Sequence, residues 1–149
     1  MMTKQDEIFY EMLMRKCIGL AKIAKKNGDS PVGSILVRNG NILSEGIESS
    51  KARNDLTFHA EIEAIRNATR SLKTNDLSDC MMVTTHEPCI MCSYVIRHYK
   101  IKLVVIGITT GETGGFSSAS PLLLDQTISK WNHPPEIIIG ILEGECRKL

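Results

Sequence analysis

The chain has 149 residues, with 18 Lys+Arg against 17 Asp+Glu and a formal net charge of +1. An apolar share of 42% excludes a disordered chain, and the near-zero charge argues against broad, non-specific nucleic-acid binding while allowing a local basic patch. One domain spanning 1–149 is expected, with a mostly aliphatic core because only 3 Phe, 3 Tyr and 1 Trp are present. The polar start and the lack of any apolar run near the roughly 18 residues of a membrane span predict a cytoplasmic chain with no leader and no membrane partner. Five cysteines, an odd number, then read as reduced thiols rather than a disulfide framework.

In chain order, Phe9, Leu13, Cys17, Leu20 and Ala24 recur at steps of four and three, which predicts a helix over 6–26 closed by Asn27-Gly28. Val32–Val37 reads as a strand, Asn39-Gly40 as a hairpin turn, and Asn41–Glu45 as the return strand. A polar loop over 48–57 precedes a helix over 59–70. Met81–Thr85 predicts a strand, Cys89–His98 a helix behind Pro88 at its first position, and Lys102–Ile108 an apolar strand covered on both faces. The Gly/Ser/Thr-rich stretch 109–120 reads as a loop, Leu122–Lys130 as a short helix, Glu136–Leu142 as a last strand, and a short helix ends the chain. Cys17 and Cys146 are expected as small buried hydrophobes, and the pairs Met12/Met14 and Met81/Met82 as core filler. A hairpin followed by β-α-β-α-β makes an α/β fold with a mixed sheet and helices on both faces.

Two short segments carry chemistry: His59-Ala60-Glu61 and Pro88-Cys89-Ile90-Met91-Cys92. Cys89 and Cys92, three apart at a helix start, can turn both sulfurs to one ion, and the positive end of the helix favours thiolate. His59 supplies a third ligand if its own helix starts at the same spot, with Glu61 beside the ion but not on it. Three protein ligands leave one tetrahedral position for water, the mark of a catalytic zinc (Zn2+), and a neighbouring carboxylate can take and return the proton of that water. The competing reading is a structural zinc knot with Cys80, His86 or His98 as fourth ligand. No second close pair of ligands supports it.

An H-x-E segment followed by P-C-x-x-C is the pattern of zinc deaminases. Through Pro31-Val32-Gly33, Asp55-x-Thr57-x-His59-Ala60-Glu61, Thr85-x-Glu87-Pro88-Cys89-Ile90-Met91-Cys92 and Gly140-Ile141-Leu142-Glu143-x-Glu145-Cys146, the chain resembles the cytidine and deoxycytidylate deaminase superfamily. The resemblance is closest to its branch of guanine deaminases and tRNA-specific adenosine deaminases. It implies a three-layer α/β/α fold on a mixed five-stranded sheet, zinc on His59, Cys89 and Cys92, Glu61 as catalytic proton shuttle, and a homodimer. It also implies substrate contacts from Val32, Gly33, Ala60, Glu87 and Pro88.

The chain departs from these relatives where they place an Asn and it has Glu48, a carboxylate that prefers substrate N–H donors such as the adjacent pair on guanine; the alternative is that Glu48 turns to solvent. Leu56 and Phe58 also differ. The ending Glu143–Leu149 is shorter than the basic helix with which the tRNA enzymes grip RNA. Trp131, with His133, either closes over a flat ring or anchors a subunit contact. The sequence reading is therefore a zinc-dependent hydrolytic deaminase of a nucleobase or nucleoside. Its alternatives are a tRNA-specific adenosine deaminase, with tRNA as partner, and a non-catalytic zinc module.

Overall fold

A computed structural model describes residues 1–149. Helix α1 (Lys4–Lys26) starts at a capping box, in which Thr3 Oγ1 accepts from the Asp6 amide and the Asp6 carboxylate accepts from the Thr3 amide. Strands β1 (Gly33–Arg38) and β2 (Asn41–Ile47) follow, joined at Asn39-Gly40, where both residues adopt positive φ (52° and 78°) as a tight hairpin turn requires. Next come a one-turn helix α2 (Ser50–Arg53), α3 (Ala60–Leu72), β3 (Cys80–His86), α4 (Ile90–His98), β4 (Leu103–Ile108), β5 (Glu136–Ile139) and α5 (Glu143–Arg147).

The sheet order is β2-β1-β3-β4-β5, antiparallel among the first three and parallel from β3 onward. Alternation along the strands divides the core in two. Leu36, Met82, Val104 and Ile106 point to the α3/α4 side and pack with Ala64, Ile65, Ala68 and Ile96. Ile35, Val37, Val83 and Val105 point to the other side and pack with Leu13, Met14, Cys17 and Cys146 of α1 and α5. Hydrophobic burial on both faces of one sheet holds the three layers together.

Glycines set the distances that matter for the site. Gly46 on β2 faces the first turn of α3, where a Cβ would collide with the Ala60 carbonyl, so the start of α3 lies directly on the sheet. Gly33 does the same for α1, whose Cys17 carbonyl occupies the space of a Cβ.

Four local expectations are corrected. No helix forms over 122–130; there are two 3₁₀ turns, Leu122–Leu124 and Ser129–Trp131, because Asp125 turns the chain by accepting from the Thr127 amide and hydroxyl. The loop 48–57 contains α2. The last strand stops at Ile139, since Gly140 takes φ 87° and Leu142 φ 52°. Met12 is exposed while Met14 and Met82 are fully buried. Cys17, Cys80 and Cys146 are buried free thiols.

Candidate active site

The two antiparallel strands β1 and β3 and the starts of α3 and α4 meet at one end of the sheet. His59 is the N-cap of α3 and Cys89 the N-cap of α4, each in extended backbone just before its helix. Pro88 therefore lies one residue outside α4 rather than at its first position. Cys89 Sγ accepts from the Cys92 amide at 3.5 Å, so the thiol itself caps the helix. His59 Nδ1 lies 3.5 Å from Cys89 Sγ and 3.4 Å from Cys92 Sγ, and the three donor atoms fall within 4.8 Å of one another. Cys80, His86 and His98 are outside this group, so no fourth protein ligand closes it.

Glu61, in the first turn of α3, is buried at 4% exposure, with Oε2 3.3 Å from Cys92 Sγ. Its Oε1 lies 3.4 Å from the Thr84 hydroxyl, which accepts from Ser34 Oγ at 2.8 Å. Burial pushes the Glu61 carboxyl up to about 7. The Cys92 thiol beside it draws Cys89 down to about 4 against the cost of burial, and Cys92 itself rises well above its usual value. The Cys89 contact lifts His59 to about 9 despite burial. Two thiols and one imidazole at helix N-termini are a borderline-soft donor set that zinc prefers, and three ligands leave its fourth position free. The residues present fit zinc.

A model of the cytidine and deoxycytidylate deaminase zinc-binding region matches residues 8–108, across both segments that build this cluster. The chain belongs to the cytidine and deoxycytidylate deaminase family. It is 37% identical to the tRNA-specific adenosine deaminase of Haemophilus influenzae over 139 residues, 93% of this chain and 79% of that one. A structure from work on A-to-I editing by tRNA:A34 deaminases superposes with a TM-score of 0.85 at 27% identity, covering 92% of this chain and 97% of that one. Guanine deaminase from Bacillus subtilis is similar over less of its length: TM-score 0.64 and 34% identity, with 66% and 64% coverage.

In this deaminase a cleft of about 190 Å³ opens onto the cluster, lined by His59, Glu61 and Cys89 together with Val32, Glu48, His86, Glu87 and Thr110. Glu48 is 7% exposed, which corrects the reading that turns it to solvent. The Glu87 carboxylate accepts from the Thr110, Phe116 and Ser117 amides and from the Ser117 hydroxyl. Burial alone would raise its pKa, but these donors together hold it below the ordinary glutamate value. Its four acceptor positions are spent on the loop that walls the cleft, so it organises the site from behind.

Gly33, Ala60 and Pro88 do not line the cleft. Gly33 faces α1, Ala60 is fully buried at the start of α3, and the Pro88 carbonyl accepts from the Gly115 amide. Trp131 is corrected outright. It is 1% exposed, edge-on to Tyr94, with Nε1 3.4 Å from His98 Nδ1 and the Arg97 guanidinium 5.0 Å over its ring. His98 ends α4 and Cys89 begins it, about 13 Å away along a helix rising 1.5 Å per residue, so the indole is a packing anchor. Sequence reading missed Ser34 and Thr84, the hydroxyls behind Glu61. Their signal was a polar pair on otherwise apolar strands, and register pairs them directly.

Proposed function

We propose that the chain is a tRNA-specific adenosine deaminase acting as a homodimer, converting adenosine to inosine in RNA with release of ammonia. The observation that carries the reading is 37% identity over 93% of the chain to an enzyme of that description. This reverses the order reached from the sequence, where the short ending favoured a free base.

His59, Cys89 and Cys92 would hold zinc, which supplies Lewis-acid activation of water at neutral pH. Glu61, buried between Cys92 and Thr84, would take a proton from the attacking water and deliver protons to the ring nitrogen and the departing amine. The Ser34–Thr84 hydroxyl pair fixes its orientation. Burial favours the protonated carboxyl, which makes Glu61 as ready to give a proton as to take one. A duplex cannot enter so small a cleft; an extruded base can. Glu87 holds the loop wall against it.

The test is inosine formation on tRNA transcripts beside ammonia release from guanine, cytosine, adenine and their nucleosides. Inosine on tRNA, falling steeply with added salt as phosphate contacts require, is the expected result. Guanine turnover with no inosine on any tRNA overturns it in favour of a free-base deaminase, the second reading, which the acidic Glu48 in the cleft favours.

A further inference from the structure

Seven arginines are present, and the chain itself supplies acceptors for five of them. Arg15, Arg38, Arg66 and Arg147 form ion pairs with Glu145, Asp79, Glu63 and Glu143, and Arg97 donates to the Leu122 carbonyl. The two that find no acceptor, Arg53 and Arg70, are exposed and line the same groove, a space of about 760 Å³ between the end of α1, the edge strand β2 and α3. Arg53 is held there by stacking. Its guanidinium lies 4.6 Å from the centroid of the Phe58 ring, which Arg66 also approaches at 4.5 Å. The two carboxylates of the groove are already neutralised, Glu45 by Lys16 at 2.7 Å and Glu63 by Arg66 at 3.4 Å. What remains is positive charge without a partner in the chain.

The groove backs onto the cleft. From the end of β2 onward the side chains alternate, with Ile47 and Ser49 lining the groove and Glu48 between them lining the cleft. Phe58 and His59 repeat that division, and the Ser49 amide donates to the Phe58 carbonyl at 3.0 Å, so the two segments form one wall with a face on each space. A nucleic-acid strand whose base is drawn into the cleft leaves its neighbouring phosphates at the rim of that wall. We propose that the groove seats the backbone of an RNA substrate beside the target nucleotide, with Arg53 and Arg70 donating to its phosphates. This deepens the RNA-deaminase reading above and rests on it. Guanidinium suits the task, being permanently charged and able to donate two parallel hydrogen bonds to one phosphate. With a net charge of +1 the chain has little general attraction for a polyanion, so affinity has to come from such a local excess.

Binding is measured on the zinc-loaded chain carrying Glu61→Gln, so that no RNA is converted, by fluorescence anisotropy of an anticodon stem-loop RNA with adenosine at the target position. Arg53→Gln and Arg70→Gln are each expected to weaken binding about tenfold and to reduce the steepness of log K against log salt by about one, with zinc content unchanged. Lys4→Gln removes the same charge at the far end of α1, about 33 Å from Lys26 at 1.5 Å per residue, and is expected to leave both quantities as they were. An uncharged methylphosphonate then replaces each phosphate flanking the target in turn. At a contacted phosphate it is expected to weaken binding about tenfold with the arginine present and no further in the matching Gln variant, the non-additivity of direct partners. Affinity and salt dependence that survive both arginine substitutions overturn the proposal, as does an equal loss in Lys4→Gln. A methylphosphonate effect undiminished in both Gln variants overturns it too. Loss of RNA affinity that appears only with dissociation of a dimer in sedimentation makes the groove a contact between copies and overturns it equally. Inosine formation by the unsubstituted chain registers the deaminase reading separately. Where inosine forms, these outcomes judge the groove alone; where no tRNA yields inosine, the reading and the groove fall together.

Discussion

At the scale of single residues, the site separates side chains that would bind metal from the one that would move protons. Glu61 lies beside Cys92 but is no part of the Cys89–Cys92–His59 group. Glu61→Gln is nearly isosteric, so the chain is expected to fold, hold about one zinc, and lose kcat by a factor of about 10²–10⁴ or more, with a modest change in KM. Metal analysis and steady-state rates on the confirmed substrate check both halves; a Glu61→Gln chain that sheds zinc would make Glu61 a ligand. Cys89→Ala removes a sulfur ligand and also the N-cap acceptor of α4. It is expected to lose zinc and activity together, and full zinc stoichiometry in that variant contradicts the ligand assignment.

At the scale of elements, the loop between β4 and β5 has little regular structure and is organised by one carboxylate. Glu87 gathers four donors from Thr110, Phe116 and Ser117. Glu87→Ala strands those donors in a part-buried setting, with an expected loss of about 2–4 kcal/mol in chemical denaturation and a rise in KM as the cleft wall loosens. An unchanged midpoint would mean that water replaces the carboxylate at no cost. The cysteines give a second test at this scale. Burial, with Cys146 close by, raises the Cys17 thiol between α1 and the sheet. Burial also lifts Cys80 at the start of β3, and Cys146 on α5, to about 11. A thiol-alkylating reagent at pH 8 is therefore expected to leave all five cysteines of the zinc-loaded chain largely unmodified. After chelation Cys89 is expected to react first, since it is half-buried and held down to about 4. Mass spectrometry of the labelled peptides reads the order.

At the scale of the whole molecule, exposed apolar side chains flank both ligand-bearing segments. Leu56, 79% exposed, stands three residues before His59, while Ile90 and Tyr94 are exposed on the first turns of α4. Such residues at a functional end suit a subunit contact better than solvent. Sedimentation is expected to give twice the 16.6 kDa chain mass, shifting toward the monomer in Leu56→Asp. A monomer at micromolar concentration removes the homodimer from the reading.

What the sequence alone determined was whatever local pattern controls. Alternation placed Leu36 and Ile35 on opposite faces, Asn39-Gly40 turned the hairpin, and cysteines three apart at a helix start faced one point. Each depends on neighbours within a turn of chain, so spacing and residue type suffice. The tertiary structure decided which distant groups meet. His59 joins Cys89 thirty residues away because Gly46 lets α3 settle on β2. Glu87 faces the loop after β4, Trp131 is sealed against Tyr94 and His98, and Asp29 accepts from the first amides of α2. A lone tryptophan or a buried glutamate has the same composition whether it faces a substrate or a neighbouring loop. Only packing supplies the donors and rings that satisfy it, and packing is not periodic in sequence.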